Sequence, residues 1–190
     1  MSYKLDYWYL ENCLSKSDIK DLNNFIKNNY DKKEPKWFGA SKIDGTSLKN
    51  VDVTLISLGK IKDKIRPIIE HLQTIAQEQF GYLLFEPKDG DLINQNTYSS
   101  KDKSKYDYHC DESMSDLFDV KLTLIINISQ KNYKGGEFYY FKNGEEHHIE
   151  KLNKPGNVII FKSHLNHKVT PIISGERITL SHFMCGPKFR

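Results

Sequence analysis

Tyr108-His109-Cys110-Asp111 places an imidazole and a carboxylate two residues apart at the end of a β-prone run. Side chains two apart on a strand point the same way, so His109 and Asp111 project together and Cys110 turns away. One strand thus offers two neighbouring donors to a metal ion. A third comes from further along: His167, 56 residues after Asp111, with His164 and the pair His147-His148 as rivals. His164 lies three residues from His167, so the two face opposite sides of a strand. Two histidines and one carboxylate bind one face of an octahedron and leave the other face open. That donor set suits Fe(II) and the binding of O2 beside a further ligand.

Arg177 follows His167 by ten residues, past the turn signal Ser174-Gly175. A guanidinium there pairs with a carboxylate through two parallel hydrogen bonds. A dicarboxylate that chelates iron through a 2-oxo acid end and meets Arg177 with its other end satisfies both features, and 2-oxoglutarate is such a molecule. A cupin-like metal enzyme without that co-substrate has no need of the arginine. A non-catalytic jelly-roll binding module would retain the same charges at a cost with nothing to offset it.

Elements must hold these residues in place. Ser15 and Asp18 form a capping pair, and Ile19, Leu22, Phe25 and Ile26 then recur at helical spacing. A second helix is predicted over 60–80. Its apolar face is Ile61, Ile65, Ile68, Ile69, Leu72, Ile75 and Ala76, Gly81 ends it, and Pro67 kinks it or marks the first turn of a shorter helix. From residue 82 onward the texture is that of strands: 82–86, 91–98, 106–111, 120–129, 137–141, 147–152, 157–161, 168–173 and 177–185. Asn143-Gly144 is a hairpin turn, Pro155-Gly156 another punctuation point, and Gly135-Gly136 a backbone turn rather than a phosphate loop. Helices followed by antiparallel strands predict an α+β, mainly β chain: a double-stranded β-helix (jelly roll) with N-terminal supporting helices. Residues 1–190 form one domain in this reading, with helical support over about 1–81 and a catalytic jelly-roll core over about 82–187.

The motifs together resemble the prolyl 4-hydroxylase branch of the iron(II)/2-oxoglutarate dioxygenases, over roughly 94–187. The pieces are Tyr98, His109-x-Asp111, Lys121-Leu122-Thr123-Leu124, Tyr133-Lys134-Gly135-Gly136-Glu137, and His167-x-Val169-x-Pro171 with Gly175-x-Arg177. The Tyr-x-Gly-Gly-Glu piece is similar to that of the PKHD-type hydroxylases, and Lys121 stands where relatives commonly carry arginine. The resemblance selects His167 among the rival histidines and implies iron bound by His109, Asp111 and His167. It implies Arg177 on the distal carboxylate of 2-oxoglutarate, Tyr98 and Thr123 as hydroxyls that hold the co-substrate, and Phe183 as an aromatic neighbour. The cofactors implied are Fe(II), 2-oxoglutarate and O2, with ascorbate (vitamin C) as an accessory reductant. The implied reaction is hydroxylation of an unactivated C–H bond, on a prolyl residue of a peptide or protein. The alternative is a free amino acid or other small molecule. Halogenation is not expected, because Asp111 fills the position that chloride takes in halogenating relatives. Tyr106, Tyr108 and Trp37 are candidate aromatic walls for a proline ring. The polar, lysine-rich stretch 99–107, between Tyr98 and His109, is expected to close over the pocket.

The remaining composition excludes classes. Lysine and arginine number 28 against 25 acidic residues, with no basic stripe, so no nucleic-acid partner is expected. No apolar run reaches the length of a membrane span, and residues 1–10 lack a basic start followed by an apolar stretch, which speaks against a signal peptide. Three widely spaced cysteines without a CxxC pair fit a reducing cytoplasm and no cysteine zinc site.

Overall fold

The computed structural model describes residues 5–30, 42–43, 46–111 and 115–188. Trp37 lies outside the described residues.

The helices form as the spacing predicts. In α1 (Lys16–Asn29) the Ser15 hydroxyl accepts from the Asp18 N–H while the Asp18 carboxylate accepts from the Ser15 N–H, a reciprocal cap that satisfies two otherwise orphaned donors. Ile19, Leu22 and Ile26 are its buried stripe. The second helix, α2 (Leu58–Ile75), starts two residues before the expected point and runs through Pro67 without ending. It then widens into a π-helical turn, Ala76–Phe80, closed by Gly81 at φ +69°.

The strands make two main sheets. The larger is antiparallel, in the order β1-β11-β7-β14-β5-β4, from β1 (Tyr7–Leu10), β4 (Asp52–Ser57), β5 (Leu92–Ser99), β7 (Phe118–Asn127), β11 (Val158–Lys162) and β14 (Glu176–Pro187). The smaller, in the order β10-β9-β12-β6, holds β6 (Tyr106–His109), β9 (Phe138–Lys142), β10 (Glu145–His148) and β12 (Asn166–Val169). Two short pairs complete the set: β2 (Lys42–Ile43) with β3 (Thr46–Ser47), and β8 (Lys134–Gly135) with β13 (Ile172–Ser174). Alternation along β7 divides the interior. Leu122, Leu124 and Ile126 join the helix-side core, whereas Ile125 joins the core between the sheets. In β11, Val158 and Ile160 likewise face the helices, and Ile159 and Phe161 the smaller sheet. Burial on both faces explains why these strands read as unbroken apolar runs.

Several expectations are corrected. Residues 82–86 form no strand. Pairing of β5 with β14 stops at Ser181, and the segment takes the vacated edge with one backbone bond, Phe85 N–H to the Cys185 carbonyl, leaving Leu83 and Phe85 exposed. The expected strand 147–152 ends at His148 and turns into the short helix Glu150–Asn153. The expected strand 168–173 is split into β12 and β13 around Pro171, which has no N–H for a ladder. The segment before residue 82 is more than helical support, since β1 and β4 form both edges of the larger sheet. Asn143 and Gly144 both have positive φ, as a two-residue hairpin requires.

The stretch 99–107 forms a turn braced by hydrogen bonds at both ends. Ser104 N–H bonds the Ser99 carbonyl, Ile172 N–H the Ser104 carbonyl, and Asn50 spans the turn through its N–H to Lys105 and its side-chain amide to the Asp102 carbonyl. Among the described residues, no helix is long and apolar enough to cross a membrane.

Candidate metal centre and its carboxylate pocket

β6 and β12 lie side by side, and His109 is directly opposite His167 in their ladder. Asp111 lies two residues past His109, just beyond the strand, fixed by its N–H to the Ser163 carbonyl (2.9 Å). His109 Nε2 is 3.6 Å from Asp111 Oδ1, and His167 Nε2 is 3.5 Å from Asp111 Oδ2. One donor atom from each of the three residues falls within 4.8 Å of the others. The tautomers are set from behind. His109 Nδ1 is 2.7 Å from the Asp107 carbonyl and His167 Nδ1 is 2.8 Å from the Leu165 carbonyl. Each Nδ1 therefore carries the proton, and each Nε2 lone pair faces Asp111. Burial, then the neighbouring His167, push the His109 pKa down to about 3, so the ring is neutral and ready to ligate at pH 7. Phe138 and Phe161 enclose His167, with ring centroids at 5.4 and 4.7 Å. Thr123 donates to Asp111 Oδ2 at 2.7 Å and orients the carboxylate.

The rival histidines lie elsewhere. His164 is exposed in the turn before β12. His147 and His148, on the edge strand β10, stack on Tyr140 and Tyr139.

Tyr108 is a correction with a clear cause. Val169 pairs with Tyr106 and His167 with His109, so Asp107 and Tyr108 together oppose the single residue Lys168. This β-bulge changes the parity of the strand. Tyr106 and His109, three apart, share the inner face, and their rings stack at 3.4 Å. Tyr108 is turned to the outer face, where its hydroxyl donates to Glu146 Oε1 at 2.6 Å.

Arg177 supplies the other half of the site. It is 1% exposed on β14, and its Nε and one terminal nitrogen, Nη2, have no hydrogen-bond partner among the described residues. Its guanidinium carbon lies 5.4 Å from the Tyr98 ring centroid. Room for its stem comes from Gly136, at φ +68°, where a Cβ would stand 2.9 Å from Arg177 Cδ and 2.4 Å from Ile172 Cδ1. A buried cation with unpartnered donors is costly unless an anion completes it. The residues present therefore fit both a divalent ion at the His109-Asp111-His167 donor set and a carboxylate at Arg177.

One cavity of about 460 Å³ joins these parts. His109, Asp111, His167, Arg177, Tyr98, Thr123, Phe183 and Tyr106 all line it; Tyr108 does not. Burial pushes the Tyr98 phenol up to about 12, so it remains a hydrogen-bond donor at pH 7. Sequence reasoning missed Lys49, Leu55, Asn94, Asn96 and Ser181 in the lining. Asn94 and Asn96 could have been found by carrying the two-residue parity of Tyr98 back along β5. Lys49 carries no motif, and its segment was unassigned.

The family model described as "2OG-Fe(II) oxygenase superfamily" matches residues 93–185. No curated protein matches the chain. Among solved structures, a prolyl-4-hydroxylase from Pseudomonas putida is similar with a TM-score of 0.70 at 17% identity, over 95% of this chain and 92% of that one. The viral collagen prolyl hydroxylase of Paramecium Bursaria Chlorella virus-1, in its 2OG complex, has a TM-score of 0.68 at 18% identity, over 96% and 97% of the two chains. A Trichoplax adhaerens prolyl hydroxylase in complex with a hypoxia inducible factor oxygen degradation domain peptide fragment gives 0.66 at 12% identity, over 95% and 84%. At such identities the likeness is one of fold, and it extends to both sheets and the helices. The family model runs from β5 to β14 and takes in both histidines, Asp111 and Arg177, so that residues 93–185, just under half of the chain, are similar to a superfamily named for Fe(II) and 2-oxoglutarate, and the donor set for such a metal lies among them.

Proposed function

We propose that this dioxygenase hydroxylates an unactivated C–H bond of a prolyl residue carried by a peptide or protein. In this reading His109, Asp111 and His167 hold Fe(II), and Arg177 takes the distal carboxylate of 2-oxoglutarate. The observation that carries the co-substrate assignment is the buried Arg177 guanidinium, with two nitrogens unpartnered among the described residues, in the cavity that the donor set lines. When bound, Fe(II) and 2-oxoglutarate supply the O2-activating oxidation that side chains lack, with succinate and carbon dioxide as by-products.

The side chains do the positioning. Thr123 fixes one Asp111 oxygen by its hydrogen bond. The carbonyls of Asp107 and Leu165 lock both histidine tautomers. Tyr98, kept protonated, offers a hydroxyl to the co-substrate beside Arg177. Phe183, Leu92 and Leu55 form an apolar, partly exposed rim of the cavity. Such a rim admits a residue from a chain while shedding water. A carboxylate at Asp111 supports hydroxylation over halogenation. The prolyl substrate is supported by the three similar structures, each titled a prolyl hydroxylase and one holding a peptide fragment. The odd, widely spaced cysteines support a reducing cytoplasm as its location.

The test is succinate release from the Fe(II)-loaded protein, with ascorbate present, against proline-containing peptides and free L-proline, followed by mass spectrometry. A gain of one oxygen on a peptide proline is expected. Efficient turnover of a free amino acid with every peptide untouched would replace the peptide reading with the small-molecule one.

A further inference from the structure

The apolar rim of the metal cavity continues past the mouth. Leu92 and Phe183 also line a second cavity of about 430 Å³, together with Phe85, Phe118, Met184 and Cys185. The two cavities therefore meet across Leu92 and Phe183. Leu92 is 53% exposed, Phe85 49% and Phe183 38%. The rings of Phe85 and Phe118 pack edge to face, with centroids 6.5 Å apart, so the far wall is aromatic. Single apolar side chains at a surface are ordinary, but a run of them along a concavity marks a place where something binds. Glu86, Lys88 and Asp91 border the same cavity and give it the polar rim of a binding surface.

The backbone under this wall is fixed. Phe85 N–H bonds the Cys185 carbonyl at 2.8 Å, and the Phe85 carbonyl accepts from Gln73 Nε2 at 3.0 Å. The Leu83 carbonyl fits against β14 because Gly186 has no side chain: a Cβ there would stand 2.2 Å from it. Beyond Phe85, Lys88 N–H bonds the Asp91 carboxylate at 2.8 Å and Asp91 N–H the Lys88 carbonyl at 3.0 Å, which closes the turn into β5. Strand geometry sets the scale. Phe85 lies one strand spacing across and two residues along β14 from Phe183, about 8 Å away. An extended chain covers that in two to three residues, and one more reaches inside Phe183 to the metal cavity.

We propose that the second cavity binds the substrate chain itself: a bulky apolar side chain, two to four residues from the one that reacts, seats against Phe85 and Phe118. The inference rests on the proposed function, since it needs a peptide or protein whose reacting residue occupies the metal cavity. A free amino acid would end at the mouth.

The experiment uses the full chain with Fe(II), 2-oxoglutarate and a set of prolyl peptides. Each carries Phe, Leu or Ser at one position, from one to six residues before or after the proline. Succinate release gives kcat/KM, and mass spectrometry locates the added oxygen. Anaerobic 2-oxoglutarate binding is read from the visible charge-transfer band of the 2-oxo acid chelate. The native protein should favour Phe or Leu over Ser by about tenfold at an offset of two to four residues on one side, the scale of burying one large apolar side chain. Phe85→Ser should lose that preference, Phe85→Leu should retain most of it, and Phe85→Glu should replace it with a preference for Lys at the same offset. Co-substrate affinity should stay within about twofold in all three variants, since Arg177 and the metal hold that ligand. Equal use of Phe, Leu and Ser at every offset would overturn the proposal and leave the proposed function standing. So would a preference that survives in Phe85→Ser. A concentration-dependent dimer lost in Phe85→Ser, without any offset preference in the native protein, would give the cavity to a second copy of the chain instead. Turnover of a free amino acid with every peptide untouched, or the absence of a chelate band, would bring down the proposed function and this inference together.

Discussion

Two lysines stand over two tyrosines on opposite faces of the smaller sheet. Outside, Lys168 lies 4.6 Å over the Tyr108 ring, and Glu146 completes the group, bonded to the Tyr108 hydroxyl at 2.6 Å and to Lys168 at 2.5 Å. Inside, Lys49 lies 4.8 Å over the Tyr106 ring, and that ring stacks on a histidine of the donor set. The outer group is a finished three-part surface network with its own carboxylate. The inner one has the same aromatic and cationic parts but faces the cavity, where Asp111 is held by Thr123 and lies beside two imidazoles. Residues two apart on one short strand thus serve different ends, and a one-residue bulge sorts them.

The comparison breaks if changes on the two faces have equal effects. The largest contrast is expected between histidines. His167→Ala should abolish iron binding and turnover while the fold persists, whereas His148→Ala on the outer edge should alter neither. Metal titration followed by circular dichroism measures both, and loss of iron in His148→Ala alone would reverse the assignment. Next comes Arg177→Met. Loss of a buried, charge-assisted pair costs on the order of 1.5–3 kcal/mol, or roughly 10- to 150-fold in 2-oxoglutarate affinity, with iron affinity little changed. Arg177→Lys should recover part of that loss, since a point charge keeps the attraction without the fork. A smaller effect separates the tyrosines. Tyr106→Leu removes a ring from the cavity wall and should raise the substrate KM several-fold, on the scale of an aromatic contact worth about 1 kcal/mol. Tyr108→Leu should leave KM unaltered. The smallest effect is that of Glu146→Gln, which should leave turnover intact and shift the melting temperature slightly, a shift that added salt removes.

Sequence reasoning paired His109 with Asp111 by strand parity, chose His167 among its rivals only through the family resemblance, and singled out Arg177 because a turn signal and a fixed interval led to it. It also reached both helices, whose apolar stripes and cap are local signals. It failed where the determinant is not local. The bulge that expels Tyr108 exists only as a mismatch between β6 and β12, and neither strand announces it alone. Residues 82–86 have strand-forming side chains but find an edge offering one backbone bond. β1 and β4 were missed because a four- or six-residue strand at a sheet edge leaves little periodicity to read. Lys49 is brought to the cavity by the seam between two sheets, an arrangement without any trace in its neighbours along the chain.

Gly136 is where a change out of reach of the metal would look like a catalytic lesion. With Arg177 Cδ and Ile172 Cδ1 crowding the place of its missing side chain, and φ at +68°, even alanine would have to displace the arginine stem or the isoleucine. The guanidinium is useful only at the length and angle its stem allows. Gly136→Ala should therefore give an enzyme that folds and retains iron but is starved of 2-oxoglutarate at concentrations that saturate the native protein, and raising the co-substrate should restore its rate. The glycine acts as the rest on which a lever is set: it touches no reactant, yet it decides where the far end of the arginine falls.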